Sequence, residues 1–363
     1  MKRYRMVLWG TGAVGKPALN CILDRPEFEL VGHYVRSPDK AGLDSGALVG
    51  RPPVGVTTTQ DVESLLSLKP DVLAYFANGV ARRADVAREV ARFLEIGTNV
   101  VTTSISPIMA PAATGAELRE VIEAACRRGG ASIFSTGLEP GFATSHLALT
   151  CLTVAHRVDR VRLQEFSDYS TYPDERTLRR DLGFGMPMDA PSSGREDAIM
   201  REVWIGTLAD TARALGLTID SFRTAYRTAP ASRDIDTAIG RIDKGTVSAM
   251  WFQLIGVVGG EDRLFLEHIN WMDIADVPAD WPAPPHYPNG TARVVAYRVS
   301  VEGSPSFECE FKVNFTTKTE PNGLALTALH ALNAIPYVVA ADPGIVYQAD
   351  FIPYGVRAVS AAG

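Results

Sequence analysis

Three glycines near the start of the chain, in Gly10-Thr11-Gly12-Ala13-Val14-Gly15, constrain its fold more than any other feature. They follow a short apolar run over residues 4–9 that reads as a buried strand. They precede apolar groups at helical spacing, Val14, Ala18, Cys21 and Ile22. A strand, a glycine turn and a helix in that order make a phosphate-binding turn. Gly10 permits the tight turn, and Gly12 lets the backbone approach a pyrophosphate. Gly15 lets the helix pack close to the strand. The helix N-terminus offers free N–H donors and the positive end of its dipole. An ordinary turn does not need three glycines, each of which costs chain entropy on folding. Residues 10–15, Thr11, Ala13 and Val14 included, are therefore the core of an expected dinucleotide site.

Downstream, short apolar runs alternate with amphipathic stretches. Residues 29–35, 71–76, 99–103 and 131–135 read as strands, and 61–68, 81–95 and 112–128 as helices. Such alternation gives a parallel sheet covered on both faces, doubly wound by right-handed crossovers. After about residue 150 the texture changes. Strand patterns cover 158–166, 245–258, 263–270, 292–301 and 307–315, and a helix covers 196–215. Residues 278–289 form a proline-rich loop, and 323–341 read as one long apolar helix returning to the first domain. The expected fold class is α/β: a Rossmann doubly wound parallel sheet plus an α+β domain with an open, mostly antiparallel sheet. Residues 1–150 are the expected dinucleotide-binding domain, completed by 322–363. Residues 151–321 are the expected substrate-binding and dimerisation domain.

The tip of the second strand decides the cofactor. A site for NAD usually places an acid there, about 20 residues past the glycines, to bond the ribose hydroxyls. Here the strand runs into Val35-Arg36-Ser37-Pro38-Asp39-Lys40, with no acid at the tip. Arg36 and Ser37 suit a 2′-phosphate, and Lys40 adds charge. The expected cofactor is NADP(H), with use of NAD(H) left open. Asn78 and Gly79, after the strand at 71–76, and Thr103, at the end of the next, complete the expected cofactor-binding set. Tyr75 and Phe76 pack either on the cofactor or in the core.

Composition excludes several classes. A chain of 363 residues exceeds what one hydrophobic core usually serves. Net charge is −6 with no extended basic block, which argues against nucleic acid or an anionic membrane surface as partner. No window approaches a membrane helix and no secretory leader pattern opens the sequence, so a cytoplasmic location is expected. Cys21, Cys126, Cys151 and Cys309 have no zinc spacing and are expected to be reduced thiols. No metal site is expected.

Four stretches carry a resemblance: residues 7–15; Asn99-Val100-Val101-Thr102-Thr103; Thr136-Gly137-Leu138-Glu139-Pro140-Gly141-Phe142; and Ala331-Leu332-Asn333-Ala334-Ile335-Pro336 with Pro343-Gly344-Ile345. In these the chain resembles the dihydrodipicolinate reductase-like family. Within it, the chain is similar to the branch containing 2,4-diaminopentanoate dehydrogenase and the native amine dehydrogenases. The resemblance implies NAD(P)H-dependent reduction at a carbon bearing nitrogen, as in reductive amination of a small carbonyl compound with ammonia, and its reverse. The amine dehydrogenases carry a Glu just after the strand matching Asn99–Thr103. This chain has Ser104-Ile105-Ser106-Pro107 there, and no acid until Glu117. It has Glu139 where the third motif more often has Asn.

Glu139 is therefore the first candidate for proton transfer and for holding the substrate nitrogen. The alternative is a surface Glu at a helix N-terminus. In the second domain Tyr169 and His268 are the catalytic candidates, with Tyr172 and Trp271 as possible pocket walls. Ser104 and Ser106 either donate to substrate or are ordinary loop serines. The alternatives to an amine dehydrogenase are an imine reductase of the dihydrodipicolinate reductase kind, or a non-catalytic NADP-binding sensor. A homodimer through the second domain's sheet is expected, because an open sheet leaves a face to bury.

Overall fold

The computed structural model describes residues 2–79, 82–109, 115–190, 198–287, 293–314, 323–352 and 359–360. The chain divides into two compact units, Met1–Phe142 with Gly323–Asp350, and Ala143–Asn322 with Phe351–Gly363.

The first unit opens with β1 (Tyr4–Trp9) and α1 (Gly15–Asp24), which buries Gly15, Ala18, Leu19 and Ile22. There follow β2 (Phe28–Tyr34), β3 (Thr58–Thr59), α2 (Val62–Ser67), β4 (Val72–Tyr75), α3 (Arg83–Glu95), β5 (Asn99–Thr102), α4 (Ala116–Gly129) and β6 (Ser132–Ser135). The start of α2 is set by Asp61, whose carboxylate accepts from the N–H groups of Glu63 and Ser64. Every strand pairing is parallel, in the order β3-β2-β1-β4-β5-β6. The two three-strand halves meet at β1 and β4, where the strand order reverses and α/β sheets bind their ligands. Strands β4 and β6 are buried at every residue, because helices cover both faces of the sheet. Trp9 is at the centre of this core, stacked on Tyr34 at 3.7 Å and Tyr75 at 5.2 Å between ring centroids.

In the second unit, α5 (Leu147–Leu152) leads into β7 (Arg157–Asp168), α6 (Ala198–Ala214), β8 (Ser221–Pro230), β9 (Ile235–Thr237), β10 (Gly240–Ile242), β11 (Val247–Val258), β12 (Glu261–Trp271), β13 (Val294–Ser304) and β14 (Phe307–Asn314). The sheet order is β14-β13-β7-β12-β11-β8, antiparallel except between β7 and β12. Leu208 and Ala212 of α6 share one core with Phe252, Leu254, Leu264 and Leu266 on one face. On the opposite face Phe166, Ile269, Trp271 and Trp281 form a smaller cluster. Beside that cluster Glu267, fully buried, accepts from Arg162, Gln164 and Gln253.

The chain then returns to the first unit through α7 (Gly323–Asn333), α8 (Ile335–Ala340) and β15 (Gly344–Val346), which pairs in parallel with β6 as a seventh strand. A last short strand, β16 (Val359–Ser360), pairs with β7. The long helix expected over 323–341 is two helices. The first ends before Ala334, and Pro336 stands in the first turn of the second, where its missing N–H costs nothing. The edge strand β8, the β9–β10 ribbon and the two- and three-residue strands β3 and β15 have no counterpart in the sequence reading. Residues 81, 112–114, 196–197, 288–289, 292 and 315, assigned to elements or loops from sequence, lie outside the described residues, as do residues 353–358 and 361–363 of the segment expected to complete the first domain.

His33 of β2 is fully buried, with Nδ1 3.0 Å from Ser45 Oγ and Nε2 3.4 Å from the Gly10 carbonyl oxygen. Burial pushes its pKa down to about 4, so the folded chain holds a neutral imidazole. The unfolded chain binds that proton at about 6.5, so stability is complete above that pH and falls as pH drops towards 4. The accumulated loss should reach about 3 kcal/mol. Urea unfolding at pH 7 and pH 4.5 should show it, and His33→Gln should flatten the slope. An equally steep slope in that variant would assign the effect to other groups.

Candidate active site

All strands of the first sheet are parallel, so their carboxyl ends share one edge, and the chain leaves that edge at the turns after β1, β2, β4, β5 and β6. The first is the glycine turn. Gly10 has φ +113°, a conformation open to glycine, and a Cβ there would lie 3.1 Å from the Phe76 carbonyl oxygen. A Cβ on Gly15 would lie 2.3 Å from the Gly10 carbonyl oxygen, so helix and strand are in backbone contact. Gly12 differs: a Cβ there would meet nothing within 4 Å. The first turn of α1 carries no acidic residue, and Val14 makes no side-chain cap. The turn therefore presents bare backbone and an uncapped helix N-terminus to open space, which fits a pyrophosphate.

At the tip of β2, Arg36 and Ser37 are exposed, and Gln60 donates to the Arg36 carbonyl at 2.7 Å. Lys40 reaches back to the glycine turn and donates to Thr11 Oγ1 at 3.3 Å. Positive charge from the second turn thus stands over the first.

The ends of β4 and β5 are bound to each other. Thr102 Oγ1 donates to the Tyr75 carbonyl at 2.9 Å, and Ser104 Oγ donates to the Ala77 carbonyl. Gly79 is buried against Ser104, whose carbonyl oxygen would be 2.1 Å from a Cβ. The Ser104 hydroxyl is thereby committed to the backbone and is not the free donor that the sequence allowed. Tyr75 is a core residue: it is fully buried, and its hydroxyl donates to Glu89, so it does not pack on a cofactor. Phe76 is buried, whereas Asn78 is exposed and Thr103 half-buried at this edge. Ser106 is half-buried in a short turn of helix over Ser106–Met109.

Glu139 follows β6 in a turn with three fixed points. The Phe142 N–H donates to the Gly137 carbonyl at 2.9 Å, the Leu138 N–H to Thr327 Oγ1 at 3.3 Å, and Gln348 Nε2 to Thr136 Oγ1 at 2.6 Å. Glu139 is half-buried and extended, at φ −147° and ψ 118°, and Gly141 has φ +143°. The chain is not yet helical at Pro140 or Gly141, so Glu139 does not cap a helix. Thr327 and Gln348, supplied by the returning segment, are site residues that the sequence reading missed; neither lies in a motif.

In the second unit Tyr169 and His268 come together around a residue not singled out from sequence, Glu165. Tyr169 donates to Glu165 Oε1 at 2.9 Å, Asn270 Nδ2 donates to the same oxygen at 2.8 Å, and His268 Nδ1 lies 3.7 Å from it. Glu165 and His268 are buried, and Asn270 is fully so. Burial and the adjoining carboxylate push the Tyr169 hydroxyl well above the usual phenol range, and burial raises Tyr172 to about 12. Trp204 sets its ring 4.5 Å from that of His268, and Tyr172 sets its ring 5.3 Å from that of Tyr169. Trp271 is not part of this group. It belongs to the small cluster on the opposite face of the sheet.

All four cysteines are free thiols. Among the described residues no group of His, Cys, Asp and Glu could hold a metal ion, and no helix is long and apolar enough to cross a membrane.

A parallel sheet in this strand order, with a bare glycine turn at its switch point and a second sheet carrying a buried acid–tyrosine–histidine group, defines a nicotinamide-dependent oxidoreductase. No family model matches the chain. An amine dehydrogenase from Streptomyces virginiae is 33% identical over 350 residues, covering 96% of this chain and 95% of that one. A 2,4-diaminopentanoate dehydrogenase from Acetoanaerobium sticklandii is 20% identical, over 95% of this chain and 92% of that one. The solved structure of an amine dehydrogenase from Mycobacterium smegmatis has the same fold, with TM-score 0.72 and 24% identity over 94% of both chains. The chain belongs to the amine dehydrogenase family.

Proposed function

We propose that the chain catalyses NADP(H)-linked reductive amination of a small carbonyl compound, and the reverse deamination: carbonyl, ammonia, NADPH and a proton give amine, NADP⁺ and water. Family membership carries this reading. The glycine turn would hold the pyrophosphate, and Asn78, Gly79 and Thr103 would line the cofactor further along the same edge. The bound nicotinamide supplies the two-electron reduction. Glu139, on its braced turn, would give and take the protons that interconvert carbonyl, carbinolamine and iminium. Tyr169 and His268 are the further catalytic candidates, within the second unit, whose open sheet would pair two copies of the chain. Ammonia-dependent oxidation of NADPH with a panel of small ketones and aldehydes tests the reading. Oxidation that proceeds equally without ammonia would overturn it.

The preference for NADP(H) rests on the basic, acid-free tip of β2. Arg36→Ala should weaken NADPH by about 1–3 kcal/mol, the scale of a lost charge-assisted hydrogen bond, and leave NADH nearly unchanged. Fluorescence titration with both cofactors checks this. Equal losses for the two would mean that Arg36 does not meet the 2′-phosphate.

A further inference from the structure

Two carboxylates are buried in the second sheet on paired strands, and they differ in how their charge is met. Glu267 has the Arg162 guanidinium at 3.1 Å, with Gln164 and Gln253 completing its hydrogen bonds. Glu165 is also buried but has no Lys or Arg within ion-pair distance among the described residues. A buried carboxylate without a cation is costly unless a cation arrives.

The hydrogen bonds around Glu165 show where such a cation would fit. Tyr169 and Asn270 both donate to Oε1, and the His268 ring nitrogen also lies nearest that oxygen. Among the described residues no donor reaches Oε2. Asn270 adds a second vacant acceptor. Its Nδ2 is engaged by Glu165, which fixes the orientation of the amide, and its fully buried Oδ1 has no hydrogen-bond partner. A buried acceptor left without a hydrogen-bond partner is destabilising, so the fold carries this vacancy at a loss. Two acceptors, one of them charged, call for a ligand that is cationic and has several N–H donors. The surroundings suit an ammonium group with an apolar body. Trp204 and Phe252 pack around His268, while Tyr172 and Phe184 pack around Tyr169. Aromatic rings attract a cation and also bury alkyl carbons.

We propose that Glu165 Oε2 and Asn270 Oδ1 bind the protonated nitrogen of the amine, with Trp204, Tyr169 and Tyr172 as the wall for its apolar part. The choice of an amine as ligand rests on the amine dehydrogenase reading. The vacancy itself does not, because it lies wholly within the second unit and should bind without dinucleotide. Holding the amine nitrogen, a role first considered for Glu139, is thereby assigned to Glu165.

Calorimetric titration of the whole chain, without dinucleotide, with n-butylammonium, ammonium and n-butanol tests this. The wild-type chain should bind n-butylammonium in preference to n-butanol. Glu165→Gln, of the same size but uncharged, should weaken n-butylammonium by about ten- to a hundredfold, the worth of a charge-assisted bond, and leave n-butanol unchanged. Glu139→Gln should bind n-butylammonium normally. Ammonium binding that also falls in Glu165→Gln would identify free ammonium as a second occupant of the same site. Undiminished n-butylammonium binding by a Glu165→Gln chain with wild-type melting temperature would overturn the proposal. A crystal of the unaltered chain soaked in 2-bromoethylammonium decides the case if that variant does not fold. The nitrogen should lie about 3 Å from both Oε2 and Oδ1, and a nitrogen elsewhere, or no bound probe, overturns the assignment. Absence of ammonia-dependent turnover, with binding intact, would instead refute the amine dehydrogenase reading and leave the site standing.

Discussion

Gly12→Val should leave the fold intact and abolish dinucleotide binding. The two effects separate because of the space around this residue. A Cβ on Gly12 meets no atom within 4 Å, and Gly12 is not among the glycines with positive φ, so the folded chain can accept a side chain there. The same open space is what a pyrophosphate needs in order to reach the turn's N–H groups, and a valine would fill it. Gly15→Ala makes the contrast. Its Cβ would lie 2.3 Å from the Gly10 carbonyl oxygen, so it should lower stability before any ligand is added. Thermal unfolding and NADPH titration of the two variants read these effects separately. A Gly12→Val chain that still binds NADPH normally would remove the basis for placing the cofactor at this turn.

Glu139→Gln should lower turnover by about 10²–10⁴-fold, the usual contribution of a general acid–base group, with little change in NADPH affinity. The two readouts separate because β6 is three strands from β1 in the sheet. At about 4.8 Å per strand, its end is roughly 14 Å along the carboxyl edge from the glycine turn. The turn carrying Glu139 is braced by hydrogen bonds from Leu138 to Thr327 and from Gln348 to Thr136, and Glu139→Gln, of the same size, keeps both. Steady-state rates with saturating ketone and ammonia, beside a cofactor titration, make the comparison. Near-normal turnover, or activity and cofactor binding lost in parallel, would take proton transfer away from Glu139 and leave Tyr169 and His268 as its candidates.

What could be read from the sequence was local. The glycine turn is a contiguous motif with a physical reason for each glycine, and the parallel sheet announced itself through unbroken apolar strands such as Val72–Tyr75. Glu139 was visible because it sits inside a contiguous turn. The partnership of Glu165 with Asn270 was not, because 105 residues separate them. Only the register of β7 against β12, which sets His268 opposite Glu165, brings the group together. Tyr169 and His268 were visible singly as polar residues in strand contexts, but the acid that joins them in space, Glu165, was not singled out. Ser104 shows a different limit. The sequence left it either a donor to substrate or an ordinary loop serine, and only the Ala77 carbonyl that takes its hydroxyl decides for the second, because no sequence pattern encodes where a loop carbonyl will point. The edge strand β8 was missed for a similar reason. Few of its residues are buried, so it carries little of the apolar signal that marks a strand.

The returning segment also has a consequence for how the chain is made. Residues 138 and 327 are joined by a hydrogen bond, and β15 pairs with β6. Most of the second unit, Ala143–Asn322, is thus one long excursion between two stretches of the first, and the rest of it, Phe351–Gly363, follows at the C-terminal end. During synthesis β1 to β6 emerge early, but the seventh strand, and Thr327 and Gln348 that brace the Glu139 turn, emerge only after the whole excursion. A ribosome-bound nascent chain arrested before residue 323 should hold the glycine turn with an incomplete sheet edge beside β6, and should bind dinucleotide weakly until β15 is released. Joining residue 142 to 323 through a short glycine linker would remove the wait, and should give a small, fast-folding nucleotide binder with no chemistry of its own.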